Sequence, residues 1–372
     1  MFRAVTDNYA ASPQLPPALL GAARLHELAG QHAEAAALYE RLDREFPNQD
    51  EHETVLYEWA WVLRELDKPA EADACFERLH VAMPRGRYWA DAVYRLAERA
   101  YQTKDFARAD ALSAELIAGV EGPKILPHAL LLQAQVAVSG EQWDKVGPPL
   151  DRLVREFPDS RLKLLAEYLQ AEATYRQGDF EQAEPRFAQL AKQTQGRHDK
   201  WLPMIALRRA QMLANEQRKQ WSEALELALP IESAFPGFEL QYEVEYLIGR
   251  CLQSQGSFDE ARAAYRNVTR SEIGGKTETA AMAQWMIGET YFHQKNYEAA
   301  LRAYLPIDIL YDFPEWQAGA LLQAGKCHEA LGEWKQASEL FARLLKLFPE
   351  SEFADDAAER LQVAQKRAET KN

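Results

Sequence analysis

The 372-residue sequence predicts an all-α protein, a solenoid of about nine helix pairs that ends in a C-terminal capping helix. A ten-residue pattern recurs nine times, with start-to-start spacings of 37, 37, 37, 37, 41, 37, 39 and 37 residues. Alanine, leucine, glutamate, arginine and glutamine dominate the composition, and stretches of alternating β-branched residues are missing. A fixed period longer than one helix is typical of repeat architectures.

The recurring pattern predicts helix B, the second helix of each pair. It reads GQHAEAAALY from Gly30, GDFEQAEPRF from Gly178 and GSFDEARAAY from Gly256. A small residue follows five positions after the start, usually a large one four positions later, then leucine, isoleucine or valine after three more. Offsets of three and four residues place these side chains on one helix face. We therefore expect helix B to begin near residues 30, 67, 104, 141, 178, 219, 256, 295 and 332.

A second helical segment, helix A, precedes each of these starts, as the sequences YLIG at 246–249 and WMIG at 285–288 show best. Helix B is predicted to end at Phe-Pro or Met-Pro pairs, because proline lacks the amide donor and biases the preceding residue away from helical angles. In the fourth pair, Gly147-Pro148-Pro149 is predicted to interrupt helix B. Each pair exposes an apolar face that only the next pair can cover, which predicts a solenoid.

The ends of the chain depart from the repeat. Residues 1–16 are predicted to form an N-terminal extension, residues 17–366 the solenoid and residues 367–372 a polar tail. The capping helix is expected at about 352–366, with Phe353, Ala357 and Leu361 on its apolar side.

Composition and motifs argue against several function classes. The net charge of −14 disfavours nucleic acid, because phosphate binding requires a basic surface. Cys75, Cys251 and Cys327 are far apart and lack the spacing of a metal site. Gly275-Lys276-Thr277 lacks the upstream glycine and the strand that a phosphate loop requires. We therefore expect a protein that is not an enzyme, with no catalytic, cofactor-binding or metal-binding residues.

The sequence carries no apolar run of 18 residues and no hydrophobic signal core near its first residue. Taken as given, it predicts a cytoplasmic protein without a transmembrane segment. If the chain is a fragment that lacks its signal, the prediction becomes the periplasm or cell envelope.

GSFDEARAAY, KNYEAALRAY and GEWKQASELF resemble the tetratricopeptide repeat, with its turn glycine, turn aromatic residue, and alanine and aromatic residue on helix B. The resemblance covers about Pro17 to Lys366 and implies a right-handed superhelical solenoid. The standard repeat has about 34 residues, whereas 37 dominates here. In this respect FPDSRLKLLAEYL and FPESEFADDAAERL are similar to bacterial envelope members of the family, such as the Tol–Pal system coordinator and the outer-membrane barrel assembly lipoprotein.

The resemblance implies a non-catalytic scaffold that binds a peptide or partner protein on a concave face lined by helix A. The candidate binding residues flank the core stripe of helix A: Arg95, Glu98, Gln102, Leu132, Gln135, Leu169, Glu172, Arg176, Leu213, Leu247, Arg250, Met286, Glu289 and Lys326. Substitution of Arg95, Glu172 and Arg250 is expected to weaken partner binding and to leave the melting temperature nearly unchanged.

Three alternatives stay open at this point. The run of Leu132, Leu169, Leu247 and Met286 could pack against neighbouring helices instead of a partner. The protein could be a periplasmic or lipid-anchored component of envelope assembly or secretion. It could also be the regulatory tetratricopeptide portion of a larger signalling or catalytic protein. The sequence predicts neither the identity of the partner nor the oligomeric state.

Overall fold

The structure is a computed structural model that describes residues 12–120, 122 and 124–370. Every regular element among these described residues is an α-helix, and consecutive helices pack side by side, so the predicted all-α repeat fold is confirmed. The chain divides into two compact units, one ending at Arg186 and the other beginning at Phe187. Residues 1–11 of the predicted extension lie outside the described part of the chain.

In the first unit, helix A and helix B alternate strictly. The helices are α1 (Leu15–Leu28), α2 (His32–Glu45), α3 (His52–Glu65), α4 (Pro69–Ala82), α5 (Trp89–Gln102), α6 (Phe106–Gly119), α7 (Leu126–Ser139), α8 (Trp143–Glu156), α9 (Lys163–Arg176) and α10 (Phe180–Gln193), which runs past the unit boundary. Odd numbers are helix A. From α1 to α9 each helix packs against the next, and α5 also contacts α7.

The second unit continues the alternation, but two of its B helices are broken. The helices are α11 (Leu202–Leu213), α12 (Trp221–Ala228), α13 (Ile231–Ala234), α14 (Gln241–Ser254), α15 (Phe258–Arg270), α16 (Glu278–His293), α17 (Tyr297–Tyr304), α18 (Ile307–Leu310), α19 (Pro314–Ala330), α20 (Trp334–Leu347) and α21 (Ala354–Thr370). Helix A is α11, α14, α16 and α19. The capping helix α21 continues to Thr370, so residues 367–370 are helical.

Proline has different effects at different places in helix B. Pro230 separates α12 from α13, and Pro306 separates α17 from α18. By contrast, α8 runs unbroken through Pro148 and Pro149, so the predicted interruption was wrong. The two prolines there remove hydrogen bonds to the carbonyls of Asp144 and Lys145, and both of these residues lie at the surface, where a freed carbonyl costs less than it would in the core.

The turn from helix A to helix B has the same backbone geometry in every repeat. Its first residue adopts a positive φ, between 50° and 80°, at Gly30, Asp67, Lys104, Glu141, Gly178, Lys219, Gly256, Lys295 and Gly332. Helix B begins two residues later each time. A left-handed residue at this position ends helix A and redirects the chain, and glycine adopts it without the steric penalty that a side chain brings.

Within a repeat, helix A and helix B are in close contact at one point. In the second unit a glycine of helix A faces an aromatic ring of helix B sixteen residues later: Gly249 faces Tyr265, Gly288 faces Tyr304 and Gly325 faces Phe341. A Cβ atom at these glycines would lie 2.5, 2.4 and 2.3 Å from the nearest ring carbon. The three rings are fully buried. The glycines of YLIG and WMIG are therefore required by packing.

Gly288→Ala should lower the free energy of unfolding by about 1–3 kcal/mol, because the new methyl group overpacks the Tyr304 ring. A glycine-to-alanine substitution in a helix usually raises the free energy of unfolding, since alanine is favoured over glycine by about 1 kcal/mol, so the expected effect here has the opposite sign. Urea unfolding followed by circular dichroism measures the change. Gly140→Ala is the control, because a Cβ there meets only ordinary contacts of 3.6 Å or more. Equal effects of the two substitutions would contradict this account of the packing.

Lys104→Gly should stabilise the fold by roughly 0.5–1 kcal/mol, because glycine relieves the left-handed strain at φ 63° but loses more chain entropy. The matched control is Lys145→Gly, an exposed position inside α8 where the same change should cost up to about 1 kcal/mol. Melting temperatures of the two variants should therefore shift in opposite directions. A fall for Lys104→Gly would show that its side chain contributes more than its backbone strain costs.

Candidate functional site

The candidate residues are divided between the two units. Eight of them, from Arg95 to Arg176, lie in the first unit, and six, from Leu213 to Lys326, lie in the second. All belong to helix A. We call the exposed side of these helices the helix A surface and describe it separately in each unit.

In the first unit the helix A surface centres on Arg95 of α5. Its guanidinium carbon lies 5.0 Å from the centroid of the Trp61 ring of α3 and 5.3 Å from that of Tyr94. Its Nη1 donates to Glu98 Oε2 at 3.1 Å. Trp61 and Tyr94 are both partly exposed. A cation close to two aromatic rings is held in place by the negative potential of the ring faces, so Arg95 is a preorganised surface group.

Two other aromatic rings pack against Trp61. The Tyr57 ring meets it edge-on at 6.2 Å between centroids, and so does the Phe76 ring at 6.3 Å. Tyr57 in turn donates its hydroxyl to Asp91 Oδ2 at 2.6 Å. Burial, together with this hydrogen bond, raises the pKa of Tyr57 to about 12. Tyr57 is therefore a neutral donor at physiological pH, and the cluster keeps its geometry.

The sequence pattern indicates Arg95 but not Trp61. Trp61 occupies in α3 the position that Glu98 occupies in α5, 37 residues later. The predicted binding residues begin in the third repeat and therefore leave this tryptophan out. Extending the choice of residues that flank the core stripe to the helix A of the second repeat would have included Trp61.

Glu172 and Arg176 form a second charged pair of the first unit, on α9. Arg176 Nε donates to Glu172 Oε1 at 2.8 Å, and the guanidinium carbon lies 5.4 Å from the Trp143 ring centroid of the preceding repeat. Glu172 is only 6% exposed. Because its carboxylate is buried and hydrogen-bonded, removing it would alter packing and electrostatics inside the unit. Glu172 is therefore a poor choice for a substitution meant to leave the melting temperature unchanged.

In the second unit the charged candidates also have partners within the chain. Arg250 pairs with Glu216 at 2.9 Å and lies 5.4 Å from the Trp221 ring centroid. Lys326 pairs with Asp356 of the capping helix at 2.9 Å. These contacts join a helix A to a neighbouring repeat, so each charge already contributes to repeat stacking.

Glu289 receives two hydrogen bonds. The Tyr304 hydroxyl donates to Glu289 Oε1 at 2.5 Å, and Gln323 Nε2 donates to the same oxygen at 3.1 Å. Burial, and secondly the Glu289 charge, raise the pKa of Tyr304 above its ordinary value. The tyrosine therefore stays protonated and donates permanently to the carboxylate.

The apolar candidates are largely core residues. Leu132 and Leu247 are 4% and 5% exposed and belong to the cores of the first and second units, respectively. Leu169, Leu213 and Met286 are partly buried against their own units' cores. The expected apolar stripe is thus taken up by intramolecular packing, because the next helix covers these positions. Gln102 is exposed and Gln135 is partly exposed.

The cysteines and Thr277, which lie outside the helix A surface and have reactive or polar groups, have structural roles. The three cysteines are buried and free, and burial raises the pKa of Cys75 and Cys327 to about 12 and that of Cys251 to about 11. Thr277 uses its hydroxyl to donate to the Gly274 carbonyl at 2.6 Å, within a turn. Over the described residues, no group of three or more histidine, cysteine, aspartate or glutamate side chains is placed to hold a metal ion.

Within the described part of the chain, none of the helices combines enough length with enough apolar character to span a bilayer.

Family models match three stretches of the chain. One model, of the tetratricopeptide repeat-like domain, matches residues 128–282, and another, of the tetratricopeptide repeat, matches residues 17–48 and 319–351. No curated protein sequence matches the chain significantly. The matched stretches include repeats from both units.

Among solved structures, the chain is similar to a Signal Transduction ATPase with Numerous Domains protein with a tetratricopeptide repeat sensor from Pyrococcus horikoshii. The TM-score is 0.55 at 14% identity, over 86% of this chain and 50% of that one, and it shows a shared fold.

Two further matches have lower TM-scores. A tetratricopeptide repeat protein from Parabacteroides merdae gives 0.47 at 13% identity, over 74% of this chain and 98% of that one. PilW, a widely conserved type IV pilus biogenesis factor, gives 0.48 at 18% identity, over 65% of this chain and 100% of that one. Together with the recurring helix pairs described above, the family models identify this chain as a tetratricopeptide repeat protein.

Proposed function

We propose that this protein is a non-catalytic scaffold that binds a peptide or partner protein through the helix A surface of its first unit. The observation that carries the proposal is the placement of Arg95 near the partly exposed rings of both Trp61 and Tyr94. Tryptophan, tyrosine and arginine are the residues that contribute most binding energy in protein interfaces. Here the three stand together on one surface and are already oriented.

Arg95 lies near two partly exposed aromatic rings, whereas Arg176 and Arg250 each lie beside one tryptophan ring of the preceding repeat. Arg95 keeps partly exposed ring faces beside it, and Glu98 remains partly exposed next to it. The Arg95 side chain is 26% exposed. A partner that presents a carboxylate to this exposed part of the guanidinium would gain a charge-assisted hydrogen bond, while its apolar groups could pack on the Trp61 ring. Because little side-chain freedom is left to lose, the entropic cost of binding is reduced.

A role in cell-envelope assembly is a second proposal, supported by the resemblance of FPDSRLKLLAEYL and FPESEFADDAAERL to envelope members of the family. This role would place the protein in the periplasm or at the cell envelope, whereas the scaffold proposal is equally compatible with the cytoplasm. Cell fractionation with an antibody to the protein distinguishes the two locations.

Photo-crosslinking tests the scaffold proposal even while the partner is unidentified. A benzoylphenylalanine placed at Gln102 or Gln135 of the full chain, expressed in its native cells, should yield discrete adducts of higher mass. The same group at Asp110 or Ala118, exposed positions of helix B in α6, is the matched control and should yield few. Adding Arg95→Gln should reduce the helix A adducts several-fold, because the preorganised cation is lost.

The melting temperature of Arg95→Gln should stay within a few degrees of the parent, since a partly exposed ion pair contributes only about 0–1 kcal/mol. Adducts of equal yield from helix A and helix B positions would argue against a defined surface. Undiminished adducts in Arg95→Gln would remove the cluster from the interface.

A further inference from the structure

A pocket of about 480 Å³ lies in the second unit, at the edge where helix B ends and the next helix A begins. Its apolar lining comes from Pro314 at the start of α19, from Leu347 and Phe348 at the end of α20, and from Phe353 before α21. Leu347 is 48% exposed. The volume falls within the range of about 300–1,000 Å³ that is usual for ligand pockets.

Three carboxylates surround this apolar floor. Glu315, Glu350 and Glu352 line the pocket, and all three are exposed. In the described part of the chain none of them forms an ion pair within 4.0 Å. Of the basic residues that precede Glu350 on α20, Arg343 pairs with Asp308 at 2.5 Å and Lys346 does not line the pocket, and Arg360 of α21 pairs with Glu329 and Asp356. The pocket is therefore apolar inside and negatively charged at its rim.

The corresponding edge differs elsewhere in the same unit. Between the start of α11 and the segment before α14, a pocket of about 560 Å³ carries charges of both signs, including Lys200, Asp199 and Glu239. Between the start of α14 and the segment before α16, the space is filled, because Gly274 packs directly on the Tyr242 ring. The repeat fold by itself thus does not produce an acidic pocket at this edge.

A structural role accounts for part of the charge. Glu315 lies in the first turn of α19, where an acidic side chain interacts favourably with the helix dipole. Glu350 and Glu352 precede α21, which begins at Ala354, and they lie outside its first turn. Dipole stabilisation therefore explains the position of Glu315 but not those of Glu350 and Glu352. It also gives no reason for the exposure of Leu347.

We propose that this pocket binds a basic peptide segment that carries a large apolar side chain. The apolar side chain enters between Leu347 and Phe353, and lysine or arginine residues on either side of it pair with the three glutamates. Charge complementarity selects this occupant, because an acidic segment, or the surface of a second copy with net charge −14, would be repelled by the rim. This site lies in a different unit from the helix A surface of the proposed function and stands or fails separately.

The test uses the full chain and a fluorescein-labelled peptide, Lys-Lys-Leu-Phe-Lys-Lys, followed by fluorescence anisotropy at physiological salt. The pocket variant is E315Q/E350Q/E352Q, and its matched control is E260Q/E298Q/E339Q, which removes three exposed glutamates of B helices in the same unit. The pocket variant should bind at least about five-fold more weakly than the control, since three exposed charge pairs are lost. The peptide Glu-Glu-Leu-Phe-Glu-Glu should not bind.

A second pair of variants tests the apolar floor. L347Q should raise the Kd for the basic peptide several-fold. L229Q should leave the Kd unchanged, because Leu229 is a leucine of the same unit that is 57% exposed and lies outside the pocket. Circular dichroism melts check that each variant is folded. Equal weakening by the two triple variants, or no effect of L347Q, would show attraction to net charge alone and would overturn the proposal. Absence of binding by the basic peptide would overturn it as well.

Discussion

The close contact between helix A and helix B inside a repeat is the constraint on which the remaining structure depends. In the second unit, glycines 249, 288 and 325 allow a buried ring to touch the helix A backbone. In the first unit, Ala60 of α3 and Phe76 of α4 occupy the equivalent positions, and both are buried in one core. Since each ring fills the space beside a small residue, the angle and spacing of a helix pair are set locally. Stacking then extends the core from one repeat to the next.

The sequence predicts this part of the fold well because the controlling interactions are short-range. A left-handed turn residue precedes each helix B, and a small and a large residue sixteen positions apart recur in most repeats. The breaks of helix B were less predictable. Pro230 and Pro306 end a helical segment, whereas Pro148 and Pro149 do not. A proline leaves the helix continuous only where the surrounding chain can stay helical without the hydrogen bonds that proline removes. The local sequence pattern does not predict where this is the case.

The candidate surface was less predictable for a related reason. A periodic pattern shows which residues flank the core stripe, but the next helix decides how much of each flank stays exposed. Leu132 and Leu247 are covered in this way, and Glu172 is buried beside Arg176. Glu289 accepts a hydrogen bond from the hydroxyl of Tyr304 in helix B. This contact depends on how the Tyr304 ring packs, which the sequence of helix A alone does not predict. The contact of Arg95 with Trp61 likewise depends on the fold, because Trp61 belongs to the preceding helix A.

The two proposed surfaces differ in how they relate to the repeat. Arg95, Trp61 and Tyr94 lie on positions that every repeat possesses, so their function rests on which side chains occupy a regular surface. The acidic pocket lies where helix B ends, at a segment whose length and composition vary between repeats. Phe348 and Phe353 of this edge pack against the core, whereas Leu347 and the three glutamates are exposed. Substitutions of the exposed residues therefore change binding with little effect on the core. A solenoid can therefore acquire a second binding site at its loop edge while the helix A surface keeps its own partner.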